Sequence, residues 1–263
     1  MVASAQTTAD VIADTNDEGR AAPRASEARD QAAVTPDELA AAMRARADTY
    51  RLLSSVLLHE LTDAQIARLR DVDASGLAQG PVADGFAAIH RYLRRAGADP
   101  RTDLAVDYAR VFLSAGVYDG MTAEPYESAF TSEDHLLYQE ARDQVMRIYR
   151  ENGFAVDPSL HMPEDHLGVE LEFLARMASR TADAVDGAPG VDGDVDPDAQ
   201  VARLAAVQAE FIERHVLNWV DDLTDKVDEF AELPLYPAFM RIVRGYASED
   251  RDLMGQLAAA LAE

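Results

Sequence analysis

The sequence predicts an all-α protein: a single compact multi-helix bundle with a disordered N-terminal tail. Three observations predict it. Apolar residues recur at three- and four-residue steps in segment after segment, several of those segments open on helix-start signatures, and none shows the alternation of a half-buried strand. No internal repeat of fixed period is present. With 263 residues the chain is long enough to bury a large fraction of its surface.

Residues 1–34 are rich in Ala, Asp, Thr and Ser, lack the apolar core of a signal peptide, and read as a flexible tail. The helical domain is expected over 35–263. Thr35-Pro36-Asp37-Glu38 offers a capping threonine, a first-turn proline and early acids. Behind it Leu39, Met43, Ala47, Tyr50, Leu53 and Leu57 form one apolar stripe. Thr62 opens a second helix, with Gln65 placed for a capping box. Pro81 to Ala96 reads as a third, with Phe86, Ile89, Tyr92 and Leu93 inward and Gly97 ending it. Leu104, Tyr108, Val111 and Phe112 mark a fourth that stops near Gly116.

A loop is expected from Gly116 to Thr131, followed by a helix that Ser132 caps and Gly153 ends, with an inward row from Leu136 or Leu137 through Val145 to Ile148. After a linker, Pro163 opens a helix through about Arg180, with Leu167, Leu171, Leu174 and Met177 or Ala178 inward. Residues 186–198 read as an acidic Gly/Pro loop. The alternating aspartates there lack the glycine and closing glutamate of a calcium loop. From Pro197 a long helix carries Val201, Leu204, Val207, Phe211, His215 and Trp219, and two final helices cover about Leu235–Tyr246 and Ser248–Leu261.

The 24 basic and 48 acidic residues give a formal charge of −24, and Lys226 is the only lysine. The acids occur in every region, so an acidic surface suited to a salt-rich cytoplasm fits better than a local acidic tract. At about 1 M salt the Debye length falls to about 3 Å, which screens that surface. Nucleic acid does not fit such a charge as a partner. Cysteine is absent, which excludes disulfides, thiolate catalysis and cysteine-ligated metal. No apolar stretch is long enough to insert into a membrane, so a cytoplasmic protein is expected.

Two short segments carry the polar residues that stand out. The first is Glu124-Pro125-Tyr126-Glu127-Ser128. The second is Met162-Pro163-Glu164-Asp165-His166-Leu167-Gly168-Val169-Glu170-Leu171-Glu172-Phe173. The tripeptide Glu164-Asp165-His166 reads as the first turn of a helix, where acids also serve the helix dipole, and Glu133-Asp134-His135 repeats it at another expected helix start. His166 and Glu170, four apart, suit a metal pair, a salt bridge or neither. Tyr126-Glu127-Ser128 suits a binding loop or a turn docking Tyr126 and Phe130 into the core. His215 beside Trp219 reads first as a core histidine. There is no HExxH, no GxSxG and no phosphate-cradling glycine loop. The residues assign no catalytic group, metal or cofactor.

Pro125-Tyr126-Glu127-Ser128, with Pro163-Glu164-Asp165-His166-Leu167-Gly168 running into Glu170-Leu171-Glu172-Phe173, resembles the TorD/DmsD family of cytoplasmic chaperones for molybdenum-cofactor oxidoreductases. Tyr50-Arg51-Leu52-Leu53 and Phe211 with His215 and Trp219 support the resemblance, which spans about Thr35 to Gln256. It implies a protein that binds the twin-arginine signal peptide and the apo form of a molybdopterin oxidoreductase catalytic subunit until cofactor insertion. The binding positions it implies are Tyr126, Glu127, Ser128, Pro163, Glu164, Asp165 and His166. Glu127, Glu164 and Asp165 would receive guanidinium forks, and side chains between the two segments would line a groove for the apolar part of the leader. The family more often has tryptophan or another aromatic where this chain has Tyr126. A homodimer by helix exchange stays open, as do a helical metal-dependent enzyme using His166, Glu170 and Glu164 and a general helical adaptor.

Overall fold

Thr35 accepts the amide of Glu38 while the Glu38 carboxylate accepts the amide of Thr35, and this capping box starts helix α1, Pro36–Leu58. The computed structural model describes residues 34–116, 122–187 and 196–262. The remaining helices are α2 (Asp63–Asp71), α3 (Pro81–Leu93), α4 (Pro100–Phe112), α5 (Glu127–Thr131), α6 (Glu140–Glu151), α7 (Leu167–Val185), α8 (Pro197–Phe211), α9 (Val220–Phe230) and α10 (Leu235–Ala260). Among the described residues there is no strand, only one isolated bridge. The expected tail falls almost wholly on residues outside the described ones, as does most of the expected 186–198 loop. No described helix is long and apolar enough to cross a membrane.

Helix α7 is the axis of the bundle. It lies along α1 and against α8, while α10 packs on α3 and α8. Its buried residues run around most of its circumference, as expected of a helix enclosed by others. Two close approaches require glycine. A Cβ on Gly168 would stand 2.8 Å from Leu58, and one on Gly85 would stand 2.8 Å from the Ala238 carbonyl oxygen. The first lets α7 begin against the end of α1, where Ser54 Oγ donates to the Gly168 carbonyl at 2.7 Å. The second seats α3 on α10.

A buried polar network ties the four long helices together. Arg46 of α1 donates to Asp250 of α10 through Nε (2.6 Å) and Nη2 (2.7 Å), and to Gln208 of α8 at 3.0 Å. Gln208 donates on to Thr181 Oγ1 of α7 at 3.0 Å, and the Tyr50 hydroxyl donates to Asp250 at 2.6 Å. Burial opposes the charge on Arg46, but the Asp250 carboxylate outweighs it and raises the guanidinium pKa.

Several boundaries differ from the sequence reading. Ser132 does not start a helix: it follows the five-residue α5, and α6 begins only at Glu140. Its hydroxyl instead accepts the Leu136 amide within a turn where His135 (φ 53°) and Tyr138 (φ 61°) are left-handed, which no helix tolerates. Leu136 is therefore exposed rather than inward. The Glu133-Asp134-His135 tripeptide lies in this turn, not at a helix start. The second segment also differs, because α7 starts at Leu167 and the Pro163–His166 stretch precedes it. The long helix from Pro197 ends at Phe211 in a π-helical turn, Ile212–Val216, and α9 follows as a separate element. The two expected final helices are one, α10.

Removing one partner of the Arg46–Asp250 pair leaves the other charge buried. Asp250→Ala is expected to lower unfolding stability by about 3–5 kcal/mol, whereas Arg46→Met with Asp250→Leu together recovers most of that loss. Urea unfolding of the three chains measures both.

Candidate functional site

The residue preceding a helix takes an extended backbone. Tyr126 precedes α5 with φ −117° and ψ 125°, and His166 precedes α7 with φ −74° and ψ 130°. Two helix starts side by side can therefore pair like a fragment of antiparallel sheet. Glu127 N donates to Asp165 O at 2.9 Å, and Leu167 N donates to Pro125 O at 2.8 Å, with Tyr126 and His166 paired between them. Their rings meet edge to face, 5.0 Å between centroids. The two motif segments thus form one junction.

At this junction the Glu-Asp-His tripeptide divides its work. Asp165 Oδ2 accepts the Ser128 amide at 2.9 Å, so it caps α5 from across the junction, a task the Tyr126 side chain does not perform. His166 Nδ1 accepts the Gly168 amide at 3.0 Å and caps its own helix, α7. An amide donor requires a bare Nδ1, which places the ring proton on Nε2. Burial, aided by the charge on His59, lowers the His166 pKa to about 3. Glu164 points outward, 24% exposed, and takes Arg142 Nε at 2.5 Å, while its carbonyl accepts the Tyr149 hydroxyl at 3.2 Å. Pro163 is buried and Tyr126 half-buried. Ser128 is buried, and its hydroxyl accepts the Gln139 amide at 3.2 Å.

Beneath the junction lie three buried carboxyl groups. Glu127 (2% exposed) has a donor on each oxygen: His215 Nδ1 at 3.0 Å and Asn218 Nδ2 at 3.0 Å. The π-helical turn brings His215 there, the turn that follows it brings Asn218, and Trp219 Nε1 steadies the pair by donating to the His215 carbonyl at 2.6 Å. Asp165 (0%) has one oxygen without a partner, and neither oxygen of Glu170 (0%) has a donor. Glu170 lies within hydrogen-bonding reach of Glu127, and burial, with the charges of Glu127 and Asp165, raises its pKa well above the ordinary carboxylate value. As two carboxylates, Glu127 and Glu170 would only repel. With Glu170 protonated, its hydroxyl can donate to Glu127 and the repulsion is lifted, while its second oxygen stays without a partner.

All seven residues named from the sequence therefore come together. They do so with different access: Glu127 and Asp165 are engaged in the interior, and Glu164 is the acid of the three that faces solvent. His166 and Glu170 do not pair, since the first caps a helix and the second meets Glu127. Among the described residues no group of three or more His, Asp or Glu is arranged to hold a metal ion. His215 is buried, as a core histidine would be, yet its ring is bound to a motif residue; its place beside Trp219 was visible in the sequence, its target was not. Asn218, Gln139 and Arg142 carried no sequence signal. A cleft of about 180 Å³ opens beside the start of α7, lined by Leu58, Phe154, Ala155, Val156, Leu160 and Val169, with Asp157 and Glu172 contributing acids.

The profile of the nitrate reductase delta subunit family matches residues 77–225, a span that includes both segments of the junction and the turn bearing His215. The chain belongs to that family. Its membership bears out the resemblance read from the motifs. Relatives of this nitrate reductase delta subunit family chain include proteins named chaperone protein TorD. The one from Vibrio cholerae serotype O1 is 28% identical over 221 residues, covering 81% of this chain and 93% of its own length. That from Vibrio parahaemolyticus is 24% identical over 214 residues, 78% of this chain and 92% of its own. A Psychrobacter relative is 24% identical over 228 residues, 84% and 96% respectively.

The two titrating groups at the junction predict opposite pH effects. Folded Glu170 keeps its proton above the ordinary value of 4.5, so folding binds a proton and stability falls as pH rises from there toward the folded value. His166 ionises at 6.5 when unfolded but about 3 when folded, so stability falls as pH drops through that window. Glu170→Gln keeps a donor toward Glu127 without the titration. Its stability advantage over the parent, from urea unfolding, is expected to be smallest near pH 4.5 and to widen up to pH 8; a gap constant with pH would refute the proton assignment.

Proposed function

We propose that this chain is a cytoplasmic maturation chaperone that binds the twin-arginine leader of an apo molybdopterin oxidoreductase catalytic subunit until its cofactor is inserted. The observation that carries the reading is the junction itself, which brings Tyr126 and Glu164 to one surface and braces them from within. Family membership and relatives named as TorD chaperones support the same reading. The binding positions are Tyr126, Glu127, Ser128, Pro163, Glu164, Asp165 and His166, in two layers. Glu164 and the half-buried Tyr126 face the peptide. Glu127, Ser128, Asp165 and His166 hold the backbone that presents them, and Pro163 sets the approach of the second segment.

A twin-arginine leader has a dicationic start and an apolar middle. Glu164 offers a carboxylate to a guanidinium. The cleft beside α7 offers apolar walls for a few side chains of the apolar part. The formal charge of −24 favours encounter with a cation-bearing leader, although salt screens that attraction beyond a few ångströms. Short pairs and modest apolar area give reversible binding, which a chaperone that must release its client requires.

Calorimetry with a synthetic leader tests this. Glu164→Gln and Tyr126→Ala are each expected to weaken binding roughly tenfold, the loss of about 1.4 kcal/mol; Glu164→Gln leaves unfolding stability close to that of the parent, whereas Tyr126→Ala gives up the ring packing on His166 and is compared at a temperature where it is folded. Folded variants with unchanged affinity would reject the site. In a pull-down from extract, a molybdoenzyme catalytic subunit is expected with its leader intact and lost when the leader is removed; recovery independent of the leader would favour a general adaptor.

A further inference from the structure

The turn between α5 and α6 is built to present one aromatic ring. It is pinned to the junction by the Gln139 amide on Ser128 Oγ (3.2 Å) and to α5 by His135 Nδ1 against the Ala129 carbonyl (2.9 Å). Within it Tyr138 holds a left-handed backbone, φ 61°, which costs free energy for a residue with a side chain and persists where the surroundings enforce it. The result is a tyrosine 64% exposed, next to an exposed Leu136. The face of the Tyr138 ring is occupied: the Arg142 guanidinium carbon stands 5.2 Å from its centroid. The same guanidinium is paired with Glu164 through Nε and one carboxylate oxygen, at 2.5 Å.

A carboxylate beside an aromatic face is a chemical complement to arginine, joining a charge-assisted hydrogen bond to a cation–π contact. We infer that Glu164 and the face of Tyr138 form a seat for one arginine of a client leader, and that Arg142 fills it in the free chain as a displaceable stand-in. The source of that arginine rests on the chaperone reading above; the seat itself does not. Arg142 engages Glu164 from one side only, whereas an arriving arginine that is not tethered to α6 can turn its two parallel N–H groups onto the carboxylate. The seat selects arginine over lysine, because an ammonium has neither the planar fork nor the flat face that stacks on the ring. Arg142 keeps the seat closed to weak cations and yields it to a ligand that also brings apolar contact.

The experiment titrates the full chain by calorimetry with a peptide bearing an Arg-Arg pair ahead of a leucine-rich stretch, and with its Lys-Lys counterpart. Arg142→Gln empties the seat and is expected to bind the Arg-Arg peptide several-fold more tightly than the parent, with little change for Lys-Lys. Arg150→Gln removes the same charge from the same helix away from the seat, and is expected to behave as the parent. Tyr138→Ala changes an exposed side chain and is expected to narrow the Arg-Arg preference. Unchanged or weaker Arg-Arg binding by a folded Arg142→Gln, or an equal gain in Arg150→Gln, overturns the stand-in role. If neither parent nor variant binds the leader, the chaperone reading fails, and the seat is judged by N-acetyl-arginine amide. Saturable shifts of the Tyr138 ring resonances in Arg142→Gln uphold it, and their absence overturns it.

Discussion

Two backbone hydrogen bonds, Glu127 N to Asp165 O and Leu167 N to Pro125 O, fix the junction of the two motif segments. They join chain segments some forty residues apart at the points where both are about to become helical, and so they set where α5 and α7 begin. Side-chain roles follow from that geometry. Once Asp165 lies across from Ser128, its carboxylate meets a free helix-start amide; once Glu127 turns inward, it must find donors or a proton in the interior. His215, Asn218 and the proton on Glu170 meet that demand. A solvent-facing acid at position 164 is what remains outside.

The bundle around the junction supplies rigidity by different means at its two ends. Near the start of α7, tight backbone approach at Gly168 and aromatic contacts among Tyr149, Phe154, Phe173 and Phe211 hold the helices. Farther along, the Arg46–Asp250–Gln208–Thr181 network crosses all four long helices. A buried network of this kind is costly to break and demanding in geometry, so it favours one mutual arrangement of α1, α7, α8 and α10 over slipped alternatives.

Much of this was legible in the sequence. The capping boxes at Thr35 and Thr62 are local in the chain, and both form as the residues dictate. The stripe from Met43 to Leu57 and the inward row of α4 are buried as their periodicity requires. The two motif segments were legible as a pair, but not the division of labour within them. Asp165 satisfies an amide at position 128, a partner set by tertiary structure alone. The turn at 132–139 was misread because Ser132 is a good helix cap by type, while the left-handed His135 and Tyr138 carry no glycine to announce them. Continuity of α10 across Tyr246 and Ser248 is hidden for the opposite reason: Ser248 suits a cap, but the packed face running from Val243 through Ala247 to Met254 favours an unbroken helix.

The π-helical turn at 212–216 has a bearing on how this chain can drift in evolution. A regular helix advances about 100° per residue, so losing or gaining a single position between Gln208 and His215, while Gln208 keeps its partners, would swing His215 away from Glu127 and leave a naked acid in the interior. Indels are therefore disfavoured between Gln208 and His215, although many substitutions on the outer face of α8 are not. The spacing from Gln208, which anchors to Thr181 and Arg46, to His215 and Asn218 acts as a fixed ruler, and lineages of this protein can be expected to differ in side chains along it but not in its length.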